Sequence, residues 1–335
     1  TLRLPQAGAS STHRQSHRGP RAARQGATLM TPPTDHPIII EHLTKRYGDH
    51  TVVDDLSFTV EPGRVTGFLG PNGSGKSTTM KMMLDLASIH RGWATIGGQR
   101  YRDLEDPART VGAMIESDAF HPGRSGRNHL RILADATGVP RRRVDEVLEE
   151  VGLTDAARRN AGAYSLGMRQ RLGLAAALLG EPPVLILDEP GNGLDPEGIR
   201  TLRDRLRAQA AGGGTVFVSS HLLDEVEHLA DDVIVINKGR LVAQGSLAEL
   251  QQAASLVRTV DADRLAAVLD QAGAATEAHG PDSLIVRKMP IDEIGDRAFT
   301  AGIALHELSP RAGSLEELFL TWTTTQSVDQ EVTPS

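Results

Sequence analysis

Residues 67–78 read GFLGPNGSGKST, and Gly70, Gly75, Lys76 and Ser77 stand in them at the spacing G-x-x-x-x-G-K-S. Glycines at those places let the backbone curl until its N–H groups point at phosphate oxygens. The lysine reaches the β- and γ-phosphates of a nucleotide, and the serine offers a hydroxyl to Mg²⁺. The loop follows a Val/Phe-rich run and opens a helix pattern, the context such a loop requires. The candidate phosphate contacts are Gly70, Pro71, Asn72, Gly73, Ser74, Gly75, Lys76, Ser77 and Thr78. A second chemical pair, Asp188-Glu189, ends the run VLILDEP. Carboxylates at the C-terminal end of a buried strand are where an α/β sheet presents ligands to a nucleotide. Asp188 would hold Mg²⁺ through water, and Glu189 would act as general base on the attacking water. A third stretch, YSLGMRQRLGL, puts Ser165 at a helix N-cap and Met168, Leu172, Ala175, Ala176 and Leu179 at helical spacing behind it. Gly180 and EPP stop that helix; the residues alone fit a capped amphipathic helix, and they leave open whether its start also faces something negatively charged.

These side chains need elements to position them. RVTGFLG, VLILD and TVFVSS read as strands buried on both faces of a parallel sheet. PIIIEHLTKRYG and TVVDDLSFTVEPG add further strand patterns, and NKGR after DDVIVI reads as a hairpin turn. KSTTMKMMLDLA places Met80, Met83, Leu84 and Ala87 on one helical face, so the methionines are expected in the core. Helix patterns lie between the strands, and the architecture is α/β around a central sheet. Residues 117–163, with GRNHLRILADATGV and RRRVDEVLEEVGL, form a helical insertion. Residues 253–323 alternate short strands and helices (SLVRTV, DADRLAAVLDQAG, SLIVRK, IDEIGDRAFTAG, IALHEL, SLEELFLTWT), a second small α/β unit without a chemical motif.

Composition narrows the functional classes. The 335 residues carry a formal net charge of −7, so bulk electrostatics give no reason to expect nucleic acid as a partner. There is no cysteine, which excludes disulfides and thiolate metal sites. No run approaches the roughly 18 apolar residues that span a bilayer, so a membrane role must come through a partner. The first 34 residues hold five arginines and no acid. Residues 1–35 are expected to be a disordered basic arm, with Met30 a candidate true start, and 324–335 a disordered tail.

With these motifs in order, residues 36–252 resemble an ABC-type nucleotide-binding domain of the P-loop NTPase class, with 253–323 as an accessory unit. SLGMRQR resembles the signature motif LSGGQ: Ser165 and Gly167 are kept, while Leu166 replaces the first Gly and Met168 the Gln. NGLD resembles the D-loop, with Asp195, and His221 in VFVSSHLLDE the switch histidine. Tyr47 falls where the family stacks an aromatic on adenine. Glu116 in VGAMIESDAF stands where the family has a Gln loop; it is a candidate contact, near the metal or out in solvent. These variants, EPGNGLDPEGI and the appended C-terminal unit are similar to exporter subunits of the bacitracin-resistance and antibiotic-efflux type.

The resemblance implies an ATPase that powers a separately encoded transmembrane permease, exporting a drug, antibiotic or peptide. It implies a homodimer, or a pairing with a similar subunit, at the cytoplasmic face of the cell membrane. ATP on the phosphate loop of one copy would be covered by Ser165 and Gly167 of the other, with Lys76, Glu189 and His221 as the catalytic groups. A soluble cassette acting on the ribosome or DNA is the alternative. Such proteins usually carry two cassettes or a long coiled coil, and this chain has one set of motifs and no heptad run. A nucleotide-binding regulator with little turnover is a third reading, against which Glu189 argues.

Overall fold

The structure is a computed structural model that describes residues 35–116, 119–252, 254–311, 315–316 and 319. The basic arm through residue 34 and the tail 324–335 lie outside these residues. The chain opens with β1 (Ile38–Tyr47), β2 (His50–Val60) and β3 (Val65–Leu69), then α1 (Lys76–Met83) and β4 (Arg91–Ile96). The short α2 (Pro107–Thr110) leads into β5 (Val111–Met114). The insertion supplies α3 (Gly126–Thr137) and α4 (Arg142–Glu150), and α5 (Leu166–Leu178) leads back to β6 (Val184–Asp188). There follow α6 (Pro196–Ala211), β7 (Thr215–Ser220), α7 (Leu223–Glu227), β8 (Asp232–Asn237), β9 (Arg240–Ser246) and α8 (Leu247–Gln252). The last unit is β10 (Ala254–Arg258), α9 (Ala262–Gln271), β11 (Ala275–Gly280), β12 (Ser283–Arg287), α10 (Ile291–Thr300) and β13 (Glu307–Arg311).

Among the described residues the strands form three sheets. The central one runs β5-β6-β7-β3-β8-β9, parallel except for β9, which pairs antiparallel with β8 through the NKGR turn. Lys238 and Gly239 both take positive φ there, 46° and 80°, as a type I′ hairpin requires. Every residue of β3 and β7 is buried. Alternation along the strands divides the interior in two. Val184, Ile186 and Phe217 face α1 and the antiparallel sheet β2-β1-β4, while Leu185, Leu187, Val216 and Val218 face the helices α3 to α6. Phe58, Phe68 and Phe217 meet between the sheets, with ring centroids 5.0 to 5.7 Å apart.

Three expectations are refined. The α1 pattern was read through Ala87, but the helix stops at Met83 because Asp85 turns left-handed at φ 55°. Met80 and Met83 are in the core as expected, joined by Met82. The α5 sequence suggested an amphipathic helix, yet Leu172, Leu174, Ala175, Ala177 and Leu178 are all buried, because the helix lies between the sheet and the insertion. In the C-terminal unit the order β11-β12-β10-β13, wholly antiparallel, is the βαββαβ ferredoxin-like arrangement. β11 was missed, because an exposed edge strand reading ATEAHG carries no apolar alternation. The strand expected in IALHEL starts later, at Glu307, since Ile303 turns into the unit's own core. Of SLEELFLTWT, only Leu315, Glu316 and Phe319 are described, all helical.

Phe217 is fully buried against two other rings. Phe217→Ala is expected to lower unfolding stability by about 3 to 5 kcal/mol, measured by urea denaturation.

Candidate functional site

The parallel register fixes what stands beside what. Leu69 of β3 pairs with Ser220 of β7, and Ser219 of β7 pairs with Asp188 of β6. The loop that leaves β3 at Gly70 therefore starts beside the end of β7 and one strand from the Asp188-Glu189 pair. Val52 and Pro71 through Thr78, with Glu189 opposite, line one open pocket. Two glycines are required by geometry. A Cβ on Gly70 would lie 2.5 Å from the Ile236 carbonyl oxygen, and Gly75, at φ 105°, would place one 2.8 Å from the Val52 oxygen. The Gly239 N–H donates to the Ser74 carbonyl at 2.9 Å, so the β8–β9 turn braces the loop.

Lys76 is the first residue of α1, and its ammonium folds back to donate to the Gly70 carbonyl at 2.6 Å and that of Pro71 at 3.4 Å. Burial pushes its pKa down, and the charges of Glu189 and Asp188 oppose that shift. A buried ammonium held by two carbonyl oxygens would find a stronger acceptor in a phosphate. Ser77 is exposed at the mouth of the pocket, and the Ser74 hydroxyl is buried without a hydrogen-bond partner among the described residues.

At the opposite wall Ser219 Oγ donates to Asp188 Oδ1 and accepts from the Glu189 N–H at 3.0 Å. Glu189 sits at φ 50°, a left-handed conformation that a non-glycine residue holds only under external constraint. Its carboxylate Oε2 lies 2.6 Å from His221 Nδ1 and accepts from the His221 N–H at 3.3 Å. The two residues read separately as general base and switch histidine are thus directly bonded. Beneath them the Glu225 carboxyl is pushed up by burial, against the Ser220 hydroxyl that opposes it, and further up by the Glu189 charge.

The remaining expected residues are placed as follows. Tyr47 is 53% exposed at the end of β1, with the Lys45 ammonium 4.8 Å from its ring centroid. Glu116 is exposed and 2.8 Å from Lys81 on the phosphate-loop helix, which holds its carboxyl below the usual range. Ser165 caps α5, accepting from the Met168 N–H at 3.3 Å, and Asp195 caps α6 by accepting from Gly198 N–H at 3.1 Å. Gly167 packs within its own chain: a Cβ there would lie 2.6 Å from the Gly193 carbonyl. With Leu166 against Gly193 and the Gln170 amide on the Glu189 carbonyl at 3.1 Å, the start of α5 and the 189–195 loop pack together in this chain. Ser219, Gln170, Lys81 and Glu225 were not singled out from the sequence. The buried serine pair closing TVFVSS was the one visible signal among them.

The ABC transporter family matches residues 53–192, and a domain family of unknown function (DUF8746) matches 254–316. The chain is 43% identical over 221 residues to the bacitracin transport ATP-binding protein BcrA of Enterococcus faecalis, covering 65% of this chain and 72% of that one. It is 37% identical over 298 residues to an uncharacterized ABC transporter ATP-binding protein, YdbJ of Bacillus subtilis (strain 168), covering 87% of this chain and 97% of the relative. A solved structure of the ATP-binding subunit of an ABC transporter superposes with a TM-score of 0.59 at 32% identity, over 64% of this chain and 91% of that one. With the phosphate loop, the paired carboxylates and relatives matched over most of their length, the chain belongs to the ATP-binding subunits of ABC transporters, which hydrolyse ATP to drive transport.

Proposed function

We propose that two copies of this chain meet head to tail and hydrolyse ATP at the cytoplasmic face of the cell membrane, powering export through a separate transmembrane permease. The cargo class proposed is a peptide antibiotic or drug, by likeness to a relative named for bacitracin transport. The cassette is assigned to 36–252 and the accessory unit to 253–323. The observation that carries the catalytic reading is the bonded Glu189–His221 pair on the wall opposite Lys76 and the phosphate loop.

The N–H groups of the Gly73–Ser77 turn cradle the phosphates, and Lys76 exchanges the loop carbonyls for phosphate oxygens. Tyr47, exposed beside the loop helix, is free to stack on adenine. The Ser77 hydroxyl and the Asp188 oxygen not held by Ser219 are hard donors and fit Mg²⁺, which would neutralise charge on the phosphates. Glu189 orients and deprotonates the attacking water, and His221 shares a proton with it and reaches the γ-phosphate. Ser165, exposed at the start of α5, and the backbone at Gly167, buried just behind it, cover the ATP of the second copy, and Asp195 holds the loop between them.

Glu116 stands where the family carries a neutral glutamine, and a carboxylate there would repel the triphosphate. Lys81 offsets that charge, which allows the carboxylate to serve beside the nucleotide.

Glu189→Gln is expected to reduce ATP turnover by about 100-fold or more while leaving ATP affinity within a few-fold of wild type, by steady-state kinetics and equilibrium binding. With Mg²⁺ and ATP the same variant should run as a dimer in size-exclusion chromatography and return to monomer with ADP. Lys81→Gln removes the cation that depresses Glu116, so the Glu116 titration midpoint should move up toward the ordinary carboxylate range, followed by NMR.

A further inference from the structure

Glu189 has three hydrogen-bonding groups, and each is held by a different element. Its N–H is held by Ser219 of β7, and its carboxylate by His221 just beyond β7. Its carbonyl accepts from the Asn192 N–H at 3.2 Å in the turn that follows and, across the fold, from Gln170 Nε2 at 3.1 Å, and Gln170 belongs to α5, 19 residues back in the chain. A backbone carbonyl only accepts, so this contact fixes which end of the Gln170 amide faces it.

Gln170 is 4% exposed, and its Oε1 is buried without a hydrogen-bond partner among the described residues. A residue kept only for packing at this place would be apolar, as Leu172, Leu174 and Ala175 are on the same helix. The amide is half satisfied, and the satisfied half is spent on the carbonyl of Glu189, the residue of this pocket other than glycine that has a left-handed backbone. Rotating the Glu189 peptide out of φ 50° would swing that carbonyl off Gln170 and re-aim the carboxylate. The same helix begins at Ser165, five residues earlier and so about one and a half turns away, and Gly167 abuts the Gly193 carbonyl in the loop that follows Glu189.

We propose that Gln170 is a positioning residue for hydrolysis: it holds the Glu189 peptide in its left-handed conformation and ties it to the signature helix. A shift of α5, when its first turn closes on the ATP of a second copy, thereby re-aims Glu189 in its own site. This second step rests on the head-to-tail reading above; the positioning role does not.

Gln170→Leu keeps the volume, removes the donor and also removes the unsatisfied oxygen, so the chain should fold with an unchanged melting temperature. Its kcat should fall about tenfold or more with ATP affinity unchanged. Gln170→Glu lacks a donor while ionised and regains one when protonated. Its activity relative to wild type should therefore rise as pH falls, a profile that a packing role would not produce. Full wild-type kcat in Gln170→Leu, or parallel loss of melting temperature, ATP affinity and kcat, would overturn the proposal. Mixed dimers then separate own-site from partner-site action. One tagged copy is wild type; the other carries Glu189→Gln, with or without Gln170→Leu. Equal hydrolysis in both mixtures is expected, since Gln170 acts on Glu189 of its own chain. A further fall on adding Gln170→Leu would show that the change damages the lid on the neighbouring ATP and would overturn positioning. Absence of any ATP-dependent dimer in the Glu189→Gln chain alone would remove the head-to-tail reading and leave the Gln170 kinetics to be judged separately.

Discussion

Everything chemical in this chain depends on three parallel strands ending at one level. β3, β6 and β7 are buried and, apart from Thr66 and Thr215, mostly apolar, and each gives way to the site at its C-terminal end: Gly70 of the phosphate loop after Leu69, Asp188-Glu189 after Leu187, Ser219-Ser220 before His221. Because Leu69 pairs with Ser220 and Asp188 with Ser219, the three polar ends lie side by side. A slip of one residue in either pairing would send the alternating apolar residues to the wrong face, where Phe217 would lose Phe58 and Phe68. The core that stabilises the sheet therefore also sets the register of the site.

On that edge the chain stores unfavourable local states. Burial pushes the Lys76 pKa down, Glu189 keeps a left-handed backbone, and burial pushes the Glu225 carboxyl up beside another carboxylate. Each is held by a particular neighbour: loop carbonyls for Lys76, Ser219 and Gln170 for Glu189, Ser220 for Glu225. Backbone strain such as that at Glu189 persists where the surrounding fold over-determines it.

The sequence was informative where chemistry and periodicity are local. The phosphate loop, the buried strands, the Ser165 cap and the NKGR hairpin all depend on residues within a few positions of one another, and all are present. What the sequence did not display are pairs made by the fold. Gln170 meets Glu189 across 19 residues, Ser219 meets Glu189 across 30, and Lys81 meets Glu116 across 35. Gly167 reads as a kept letter of the signature, yet its proximity to Gly193 shows that it also packs its own chain's loop. A substitution at Gly167 therefore disturbs its own site as well as any partner's, and Ser165 is the cleaner probe. The edge strand β11 was hidden for the opposite reason, since exposure removes the apolar pattern that marks a strand.

In the proposed dimer the start of α5 in one copy closes on the phosphate loop of the other. A chain without cysteine allows this to be read directly. In the Glu189→Gln background, one population carries Ser165→Cys and a second Asn72→Cys; the two are mixed and oxidised with and without Mg²⁺ and ATP. The account predicts a disulfide-linked dimer of the two populations that forms with ATP and not without it. No cross-link with ATP, or the same yield in its absence, would contradict it.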